Sequence, residues 1–424
     1  MAQNNDLSNL NGLFKQVYGE VHNLIPDNVK LMNMVPFSSA QEQLGLKYVE
    51  AVVLGLEHGV SYGLSTDGAF TLNAAIAGAT KDAQVDACQF VLRTAVAYNV
   101  LARALKGGPQ AFEGATKHIV ANMLRSISKR IEMSLMYGKV GIGIIDFGAG
   151  KTTAGATTTI FITPATWAPG IWAGAENMEV VFHDETAAGM VDSGNSRVIS
   201  AVDMDLYKLT ISASLTLTGL GSNVISLYPK GAIDASANKK ECDGLHSILN
   251  TTGTLFNIAT GSFSLWKPST YSAGSAQLSF GKIQKAISRG VEKGLMDDVN
   301  VLVNPRTWTD LLSDQAALRR YDSGYKKDSF ENGANYIKFY GQNGMIEITP
   351  DVYVKEGNAY VLAKDHWKRI GSTDITFKRP GSGDQFVKEL NDAAGVEFRS
   401  MSEQSLYTSA PAYSISINAV VNQS

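Results

Sequence analysis

The chain is organised around Pro109–Tyr137, which reads PQAFEGATKHIVANMLRSISKRIEMSLMY. Apolar residues recur there every three or four positions, the spacing that places side chains on one face of an α-helix. Such a helix is about 40 Å long, the width of a small domain. The pattern predicts a single long helix that serves as a structural spine. Its apolar stripe consists of Phe112, Ala115, Ile119, Met123, Ile127, Ile131 and Leu135.

The charged residues of this helix fall outside the stripe. Ionised side chains are costly to bury without partners, so we expect the face opposite the stripe to contact water. The residues concerned are Lys117, Arg125, Lys129 and Glu132.

A two-stranded loop is predicted upstream of the helix. A β-prone run spans Leu46 to Leu56, a second run from Asp86 to Val96 leads back, and glycine and small polar residues dominate between them. An isolated ribbon of two strands is marginal in water, so we expect it to be stabilised by another chain. The predicted intersubunit contacts of its tip are Leu54, Leu56, Tyr62, Leu64, Phe70 and Leu72.

The first residues of the chain are predicted to form an arm. Up to Asn33 isolated apolar residues alternate with Asn, Asp and Gln, which specifies neither a core nor a charged coiled coil. The arm is expected to reach neighbouring subunits as well. Its predicted contacts are Leu10, Phe14 and Tyr18.

Downstream of the spine the patterns alternate between strand and helix. Several short alternating strands lie between Val180 and Tyr228, and helical spacing returns at Leu278–Lys293. The run Val299–Val303 ends at Asn304, which can cap a helix containing Trp308. This order predicts a mixed α+β chain without βαβ regularity. The last β-prone runs are Ile375–Lys378, Gly395–Ser400 and Ala412–Val421.

Composition points to a surface that contacts partners. Charged residues make up 18% of the 424 residues, below the roughly 25% of typical soluble domains. The net charge of −3 and the lack of a basic tail argue against electrostatic wrapping of nucleic acid. No apolar stretch approaches the roughly 20 residues that cross a bilayer. Two cysteines, Cys88 and Cys242, are too few for a disulfide framework and favour buried free thiols in a reducing cytosol.

Three motif-like stretches are weak. Gly59–Gly63 fits the G-x-S-x-G nucleophile elbow around Ser61, but turn residues follow where the elbow needs a helix. Phe147–Thr152 resembles a phosphate-binding loop, yet Ile145 stands where the first glycine is required. His183-Asp184-Glu185 is interpreted as a solvated turn and not as a metal site. The sequence therefore predicts no catalytic residue, metal or cofactor.

The order of elements resembles a known family. Asn304-Pro305-Arg306-Thr307-Trp308 after a buried strand, then Trp367-Lys368-Arg369-Ile370 and Ile375-Thr376-Phe377, resembles the second half of tailed-bacteriophage major capsid proteins with the Hong Kong 97-like fold. A polar segment like Gly381–Glu389, a strand like Val396–Arg399 and a last strand like Pro411–Val420 complete the likeness. Lys106–Tyr137 resembles the spine helix of that family, and the ribbon before it resembles the extended E-loop.

The resemblance implies the α+β Hong Kong 97-like capsid fold, in which the chain re-enters the peripheral domain at its end. The implied divisions are an N-terminal arm (1–43), the E-loop and return (44–100), a peripheral domain with the spine helix (101–165), an axial domain (166–371, with a β elaboration or insertion at about 179–235) and returning peripheral strands (372–424).

The function implied by the resemblance is structural and non-catalytic. Pentamers and hexamers of the chain would form an icosahedral head that encloses double-stranded DNA without sequence-specific binding, without a membrane, in a virion assembled in the host bacterial cytoplasm. Nothing before Lys47 resembles a scaffolding region, so a separate scaffolding protein is expected, with a portal and a decoration protein as further partners. The tip, Gly55–Asn73, has no lysine, so covalent crosslinking is not expected. An encapsulin-like cellular compartment and, remotely, a serine hydrolase using Ser61 are the alternatives.

Overall fold

The computed structural model describes residues 28–39, 47–98, 109–148, 152–154, 157–215, 217, 220–313, 337–377, 388–390 and 394–422. Their helices are α1 (Lys30–Met34), α2 (Pro109–Tyr137), α3 (Pro169–Trp172), α4 (Leu245–Asn250), α5 (Phe280–Val291) and α6 (Pro305–Ser313). Their strands are β1 (Phe37–Ser39), β2 (Lys47–Val53), β3 (Thr80–Asp86), β4 (Cys88–Ala97), β5 (Gly143–Ile144), β6 (Thr152–Ala154), β7 (Thr157–Phe161), β8 (Glu179–Asp184), β9 (Gly189–Met190), β10 (Arg197–Asp203), β11 (Lys208–Ile211), β12 (Ile225–Pro229), β13 (Thr254–Leu255), β14 (Ile258–Ala259), β15 (Ser269–Ala276), β16 (Val299–Val303), β17 (Ile337–Tyr340), β18 (Met345–Pro350), β19 (Ala359–Leu362), β20 (Trp367–Thr376), β21 (Lys388–Glu389), β22 (Gly395–Thr408) and β23 (Ile415–Val420).

The spine helix is present with the predicted bounds. Its outer half packs on the sheet strands β4 and β22 through a small cluster that contains Val96 and Phe398, and its inner half enters the main core. The side chains of residues 109–118, Phe112 and Ala115 among them, lie outside what the structure describes. The buried members of the predicted stripe are Ile119, Met123, Ile127, Ile131 and Leu135.

Glu132 does not contact water, so the prediction of a wet face is wrong for this residue. The carboxylate is fully buried because residues 131–138 are enclosed by the body on all sides. It accepts hydrogen bonds from the backbone N–H groups of Leu31 at 2.7 Å and Met32 at 2.8 Å. Burial and, secondly, the nearby Asp351 carboxylate raise the pKa of Glu132 to about 8. Helix α1 is thus tied to the spine through a buried carboxyl group.

Besides the five-stranded sheet that contains β4, the described residues form two larger sheets. In the five-stranded sheet the order is β1-β20-β22-β21, with β4 also paired to the long strand β22. The six-stranded sheet has the order β15-β23-β19-β16-β18-β17 and packs with α5 and α6 over a second core. The eight-stranded sheet has the order β5-β12-β8-β10-β11-β7-β6, with β9 on β8. Among the strands predicted between Val180 and Tyr228, β12 therefore pairs with β5 and β11 pairs with β7. Both partners lie before residue 179.

The six-stranded sheet confirms the predicted strand Val299–Val303 and the predicted cap at Asn304. Strand β16 has the predicted bounds, and Ser279 caps α5 by accepting a hydrogen bond from the Lys282 N–H at 3.4 Å. Asn304 Oδ1 accepts from the Arg306 N–H at 2.9 Å at the start of α6. The last strand, β23, which the resemblance places in the returning peripheral segment, pairs in parallel with β15 and antiparallel with β19, and its buried residues complete that core.

The ribbon exists, but its return strand differs from the predicted one. Strands β2 and β3 pair from Lys47↔Asp86 to Val53↔Thr80. The run Asp86–Val96 does form a strand, β4, but β4 pairs with β22 over ten residue pairs. Both runs are β-prone, and sequence patterning does not specify which neighbour each one chooses.

Cys88 and Cys242 form a disulfide, so the prediction of free buried thiols is wrong. Their Cα atoms lie 5.7 Å apart although 154 residues separate them in sequence, and both residues are partly exposed. Cys88 begins β4, directly after the ribbon, and Cys242 lies in the loop before α4. The bond joins the base of the ribbon to the body of the subunit.

His183 and Asp184 also depart from prediction. Both are buried at the end of β8, not in a solvated turn, and the His183 Nδ1 atom lies 3.3 Å from Glu185 Oε1. In the described part of the chain no group of three or more His, Cys, Asp or Glu residues could hold a metal ion. Nor does any helix of that part have the length and apolar character needed to traverse a bilayer.

Candidate assembly surface

The base of the ribbon is attached firmly to the body. Strand β3 buries Ala83 and Val85, and the Gln84 N–H donates to the Phe256 carbonyl at 2.9 Å. On the other strand Lys368 Nζ donates to Tyr48 and Glu50, at 2.7 Å in each case. These contacts fix the direction in which the ribbon leaves the subunit.

The electrostatics of this attachment favour the charged pair. Burial alone would raise the pKa of the Glu50 carboxyl, but its hydrogen bonds to Lys368 and Tyr48 outweigh burial and leave that pKa below its ordinary value. Burial alone would lower the pKa of Lys368, but its hydrogen bonds to Glu50 and Tyr48 outweigh burial and leave that pKa above its ordinary value. Both groups are partly exposed, so we treat the pair as a positioning contact and assign it little stability.

The tip beyond this base presents large apolar side chains to water. Leu56 is 79% exposed, Tyr62 88% and Leu72 75%, while Leu64 and Phe70 are exposed as well. A monomeric soluble protein rarely gathers so many on one projection, and such patches typically mark interaction sites. The structure thus brings five of the six predicted tip residues together on one exposed element.

Leu54 is the exception among the predicted tip contacts. It is only 9% exposed and packs in the main core of its own subunit. Its side chain is therefore occupied within the subunit, at the point where the ribbon leaves the body. The predicted arm residues Leu10, Phe14 and Tyr18 lie outside the described residues.

The tip has a defined conformation despite its exposure. Asp67 Oδ2 accepts a hydrogen bond from the Leu64 N–H at 2.7 Å, which closes a turn. Ser61 Oγ accepts from the Asn73 N–H at 2.6 Å across the tip. At Gly63 a Cβ atom would meet the Phe70 ring at 2.7 Å, so only glycine allows this packing. The exposed apolar side chains therefore project from an ordered frame.

That frame also removes support for catalysis at Ser61. The residue lies in a loop, with neither a strand before it nor a helix after it, and its hydroxyl serves the loop itself. The glycine-rich stretch after residue 147 leads into strand β6 and not into the helix that a phosphate-binding loop requires.

Sequence reasoning missed exposed residues on the ribbon stem. Val53 is 73% exposed and Val49 is exposed on the same face of β2, while Val60 and Ile76 extend the apolar surface towards the tip. A two-residue alternation in β2 could have revealed that face. The choice of the buried face of the ribbon, however, depends on the return strand β3. The sequence analysis did not assign Ala83 and Val85 to that strand.

The chain is similar to several solved structures. The chain is similar to the capsid asymmetric unit of cyanophage A-1(L), with a TM-score of 0.55, 11% identity and coverage of 96% of each chain. It is also similar to the capsid of a native GTA particle, with a TM-score of 0.50, 7% identity and coverage of 96% of this chain and 95% of that chain. A holo-SrpI encapsulin complex from Synechococcus elongatus PCC 7942 matches at a TM-score of 0.40 and 10% identity, covering 95% and 92%.

The first two likenesses confirm the predicted fold class. They extend over nearly the whole of each chain, so they include the spine, the ribbon and the sheets together. By sequence, no protein-family model and no curated protein matches the chain.

Proposed function

We propose that the chain is a major capsid protein that self-assembles into the icosahedral head of a tailed bacteriophage around double-stranded DNA. The observation that carries the proposal is the exposed apolar tip on an ordered ribbon, in a chain whose fold is that of capsid proteins. Burying one large apolar side chain is worth about 1.5–3 kcal/mol, so leaving several in water is costly unless a partner covers them. A second copy of the chain supplies that cover in a closed shell.

The proposed division of labour follows the predicted divisions. The arm (1–43) and the E-loop (44–100) reach neighbouring subunits, the peripheral part (101–165 and 372–424) carries the spine, and the axial part (166–371) lies at the five-fold and six-fold axes. Within this scheme β23 lies in the returning peripheral segment and pairs with β15 and β19 of the axial part. Each subunit is then held by several neighbours, which multiplies weak contacts into a stable shell.

The partners of this shell follow from the same proposal. Pentamers and hexamers form with a separate scaffolding protein and a portal, assembly takes place in the host bacterial cytoplasm, and a decoration protein is a further candidate on the outside. The chain contributes no catalysis and needs no cofactor. Its net charge of −3 fits enclosure of DNA without electrostatic wrapping by this chain.

Size exclusion with light scattering, followed by electron microscopy, tests the proposal. We expect megadalton particles or pentamer and hexamer capsomers from the expressed protein, alone or with a scaffolding protein. A strictly monomeric species at every protein and salt concentration, even with crowding agents, would contradict it.

DNA-filled heads separate a phage shell from an encapsulin-like compartment, which would contain an enzyme. Ester or peptide hydrolysis that disappears in Ser61→Ala would favour the hydrolase.

A further inference from the structure

A groove beside the middle of the spine helix is lined by four positively charged side chains and one carboxylate. It has a volume of about 580 Å³ and is bounded by β4, by the middle of α2 and by the turn after α3. Its lining includes apolar side chains such as Phe90, Ile127 and Met178. A volume of this size lies within the range of small-ligand sites in proteins.

One face of the spine helix supplies most of the polar lining. Arg125, Ser126, Lys129 and Arg130 stand at relative positions 0, 1, 4 and 5, which share a face of an α-helix. Lys230 lines the opposite wall and pairs with Glu179. Glu176 is the one carboxylate among the described residues that line the groove.

Arg130 has unused hydrogen-bonding capacity at this face. Its Nη1 atom is buried and has no hydrogen-bond partner among the described residues. Glu241 is the opposite charge that acts on the guanidinium, and it offsets only part of the cost of burial, because burial still lowers the pKa of Arg130. A buried unpaired donor on a charged group is expensive, so its retention in a groove suggests a ligand.

Lys129 strengthens that indication. Its ammonium group donates to the Ala173 carbonyl at 2.6 Å and has no carboxylate within salt-bridge distance among the described residues. Burial and, secondly, the neighbouring Arg130 charge lower its pKa to about 8, and the Glu176 carboxylate opposes this shift only in part. Two adjacent cations that repel each other in a half-buried site would both be stabilised by one anion between them.

We propose that this groove is a phosphate-binding site in which Arg130 and Lys129 are the principal donors. A guanidinium presents a planar fork that matches phosphate oxygens, an ammonium adds a point charge, and the Ser126 hydroxyl adds a further donor. The apolar walls leave room for the remainder of a phosphorylated ligand beside its phosphate. The phosphate can belong to a free phosphorylated molecule or to the nucleic-acid backbone, and the site does not depend on the shell function.

Isothermal titration of the full chain with inorganic phosphate, replacing chloride at constant ionic strength, tests the site. We expect saturable binding near one phosphate per chain. Arg130→Gln should weaken it by about tenfold or more, the scale of a lost hydrogen bond to a charged group. Lys285→Gln is the matched control, because it removes one exposed positive charge from α5, away from the groove, and it should leave binding unchanged. Circular dichroism verifies folding, and Lys129→Gln replaces Arg130→Gln if the latter does not fold.

A duplex oligonucleotide distinguishes the two sources of phosphate. Oligonucleotide binding that phosphate displaces and Arg130→Gln weakens would assign the groove to the nucleic-acid backbone. Phosphate binding without such competition would assign it to a free phosphorylated molecule. No saturable phosphate binding in the millimolar range, or equal losses in Arg130→Gln and Lys285→Gln, would overturn the proposal. Binding of a glutamate-rich peptide by a protein that does not bind phosphate would also overturn it, in favour of a carboxylate partner.

Discussion

The ribbon tip and the inner half of the spine helix distribute their side chains in opposite ways. The tip leaves Leu56, Tyr62 and Leu72 in water, whereas the helix encloses the Glu132 carboxylate completely. The buried carboxyl group is satisfied inside the subunit, by backbone N–H groups of α1, but the described residues do not cover the exposed apolar groups of the tip. The difference leads us to expect that folding and assembly depend on separate regions of the same chain.

Other ionisable groups around the inner half of the spine follow the same rule. Lys355 Nζ donates to the Gly141 carbonyl at 2.7 Å and lies 4.1 Å from the centroid of the Tyr137 ring, and burial lowers its pKa to about 7. His246 Nδ1 lies 2.9 Å from Tyr360 Oη, and burial lowers the pKa of the imidazole to about 3. Such networks are costly to disturb, because removing one partner leaves the other buried and unpaired.

The largest expected effect comes from a charge placed in the spine. Ile127→Asp should abolish soluble folding, because Ile127 is buried in the main core and an unpaired carboxylate there costs several kcal/mol, comparable with the stability of a domain. Circular dichroism of the purified variant is the measurement. Leu124→Asp is the control, since Leu124 is exposed on the same helix. A folded Ile127→Asp protein that fails only in assembly would place this stripe against a neighbour.

Removal of the tip should have the converse effect. Replacing Gly55–Asn73 by a short Gly/Ser turn deletes exposed residues and keeps Leu54, so the subunit should fold while shells fail to form. A loss of about 1–2 kcal/mol per contact, the scale of a hot spot, recurs at every subunit. Thermal unfolding and particle yield by electron microscopy measure the two outcomes separately.

A milder pair of variants sharpens the test of the tip. Tyr62→Ser with Leu64→Ser removes apolar area from the tip, and Leu206→Ser removes an exposed leucine elsewhere. Particle yield should fall in the protein with both Tyr62→Ser and Leu64→Ser and stay unchanged in Leu206→Ser. Normal particles from the tip deletion would show that residues 55–73 are a dispensable loop, and an unfolded subunit would place them in its own core.

The disulfide lies between the two regions and should contribute next in magnitude. Cys88→Ser removes a bond that closes a loop of 154 residues, and loss of a native disulfide costs about 2–5 kcal/mol. We expect a lower melting temperature for the variant and for the reduced wild type. Reductant should have no further effect on Cys88→Ser. An unchanged melting temperature in both Cys88→Ser and the reduced wild type would show that the bond does not constrain the unfolded chain.

The parts of the fold that could be predicted are those that local spacing determines. The spine and β16 follow from periodicity within one segment, and the Asn304 cap follows from its place before Pro305. The family resemblance correctly indicated the fold class, although each motif is short. For the candidate site, the exposure of five tip residues could be anticipated because large apolar side chains stand out among glycines and small polar residues, and their contact with neighbouring subunits stays a prediction.

What could not be predicted depends on partners distant in sequence. The burial of Glu132 is set by Leu31, 101 residues away, and the disulfide joins cysteines separated by 154 residues. Strand β4 was recognised as β-prone, but its partner β22 lies some 300 residues further along the chain. No local pattern encodes these choices, because they are made when the sheets and the spine close on one another.

The last variant, Glu132→Gln, should change the pH dependence of stability. With a pKa of about 8 in the folded protein against an ordinary value of 4.5, Glu132 keeps a proton that the unfolded chain releases between these pH values. The contribution of this group to the free energy of unfolding is therefore present at low pH and lost as pH rises through 8, by up to about 1.4 kcal/mol per pH unit. Glutamine resembles the protonated acid and does not titrate, so the stability of the wild type should fall relative to that of Glu132→Gln between about pH 5 and 8.

Chemical denaturation of the unassembled protein at a series of pH values measures this difference. Asp351, whose pKa burial raises to about 6, interacts with Glu132, so the difference in slopes reports the titration of this pair. Glu57→Gln, which removes a carboxylate from the exposed tip, is the control for the loss of one negative charge. Parallel curves for the wild type and Glu132→Gln would mean that Glu132 is ionised in the folded state, held so by the α1 N–H groups and by Arg369. The inner half of the spine would then bury a compensated charge and not a neutral acid, and the contrast with the tip would rest on ion pairing instead of protonation.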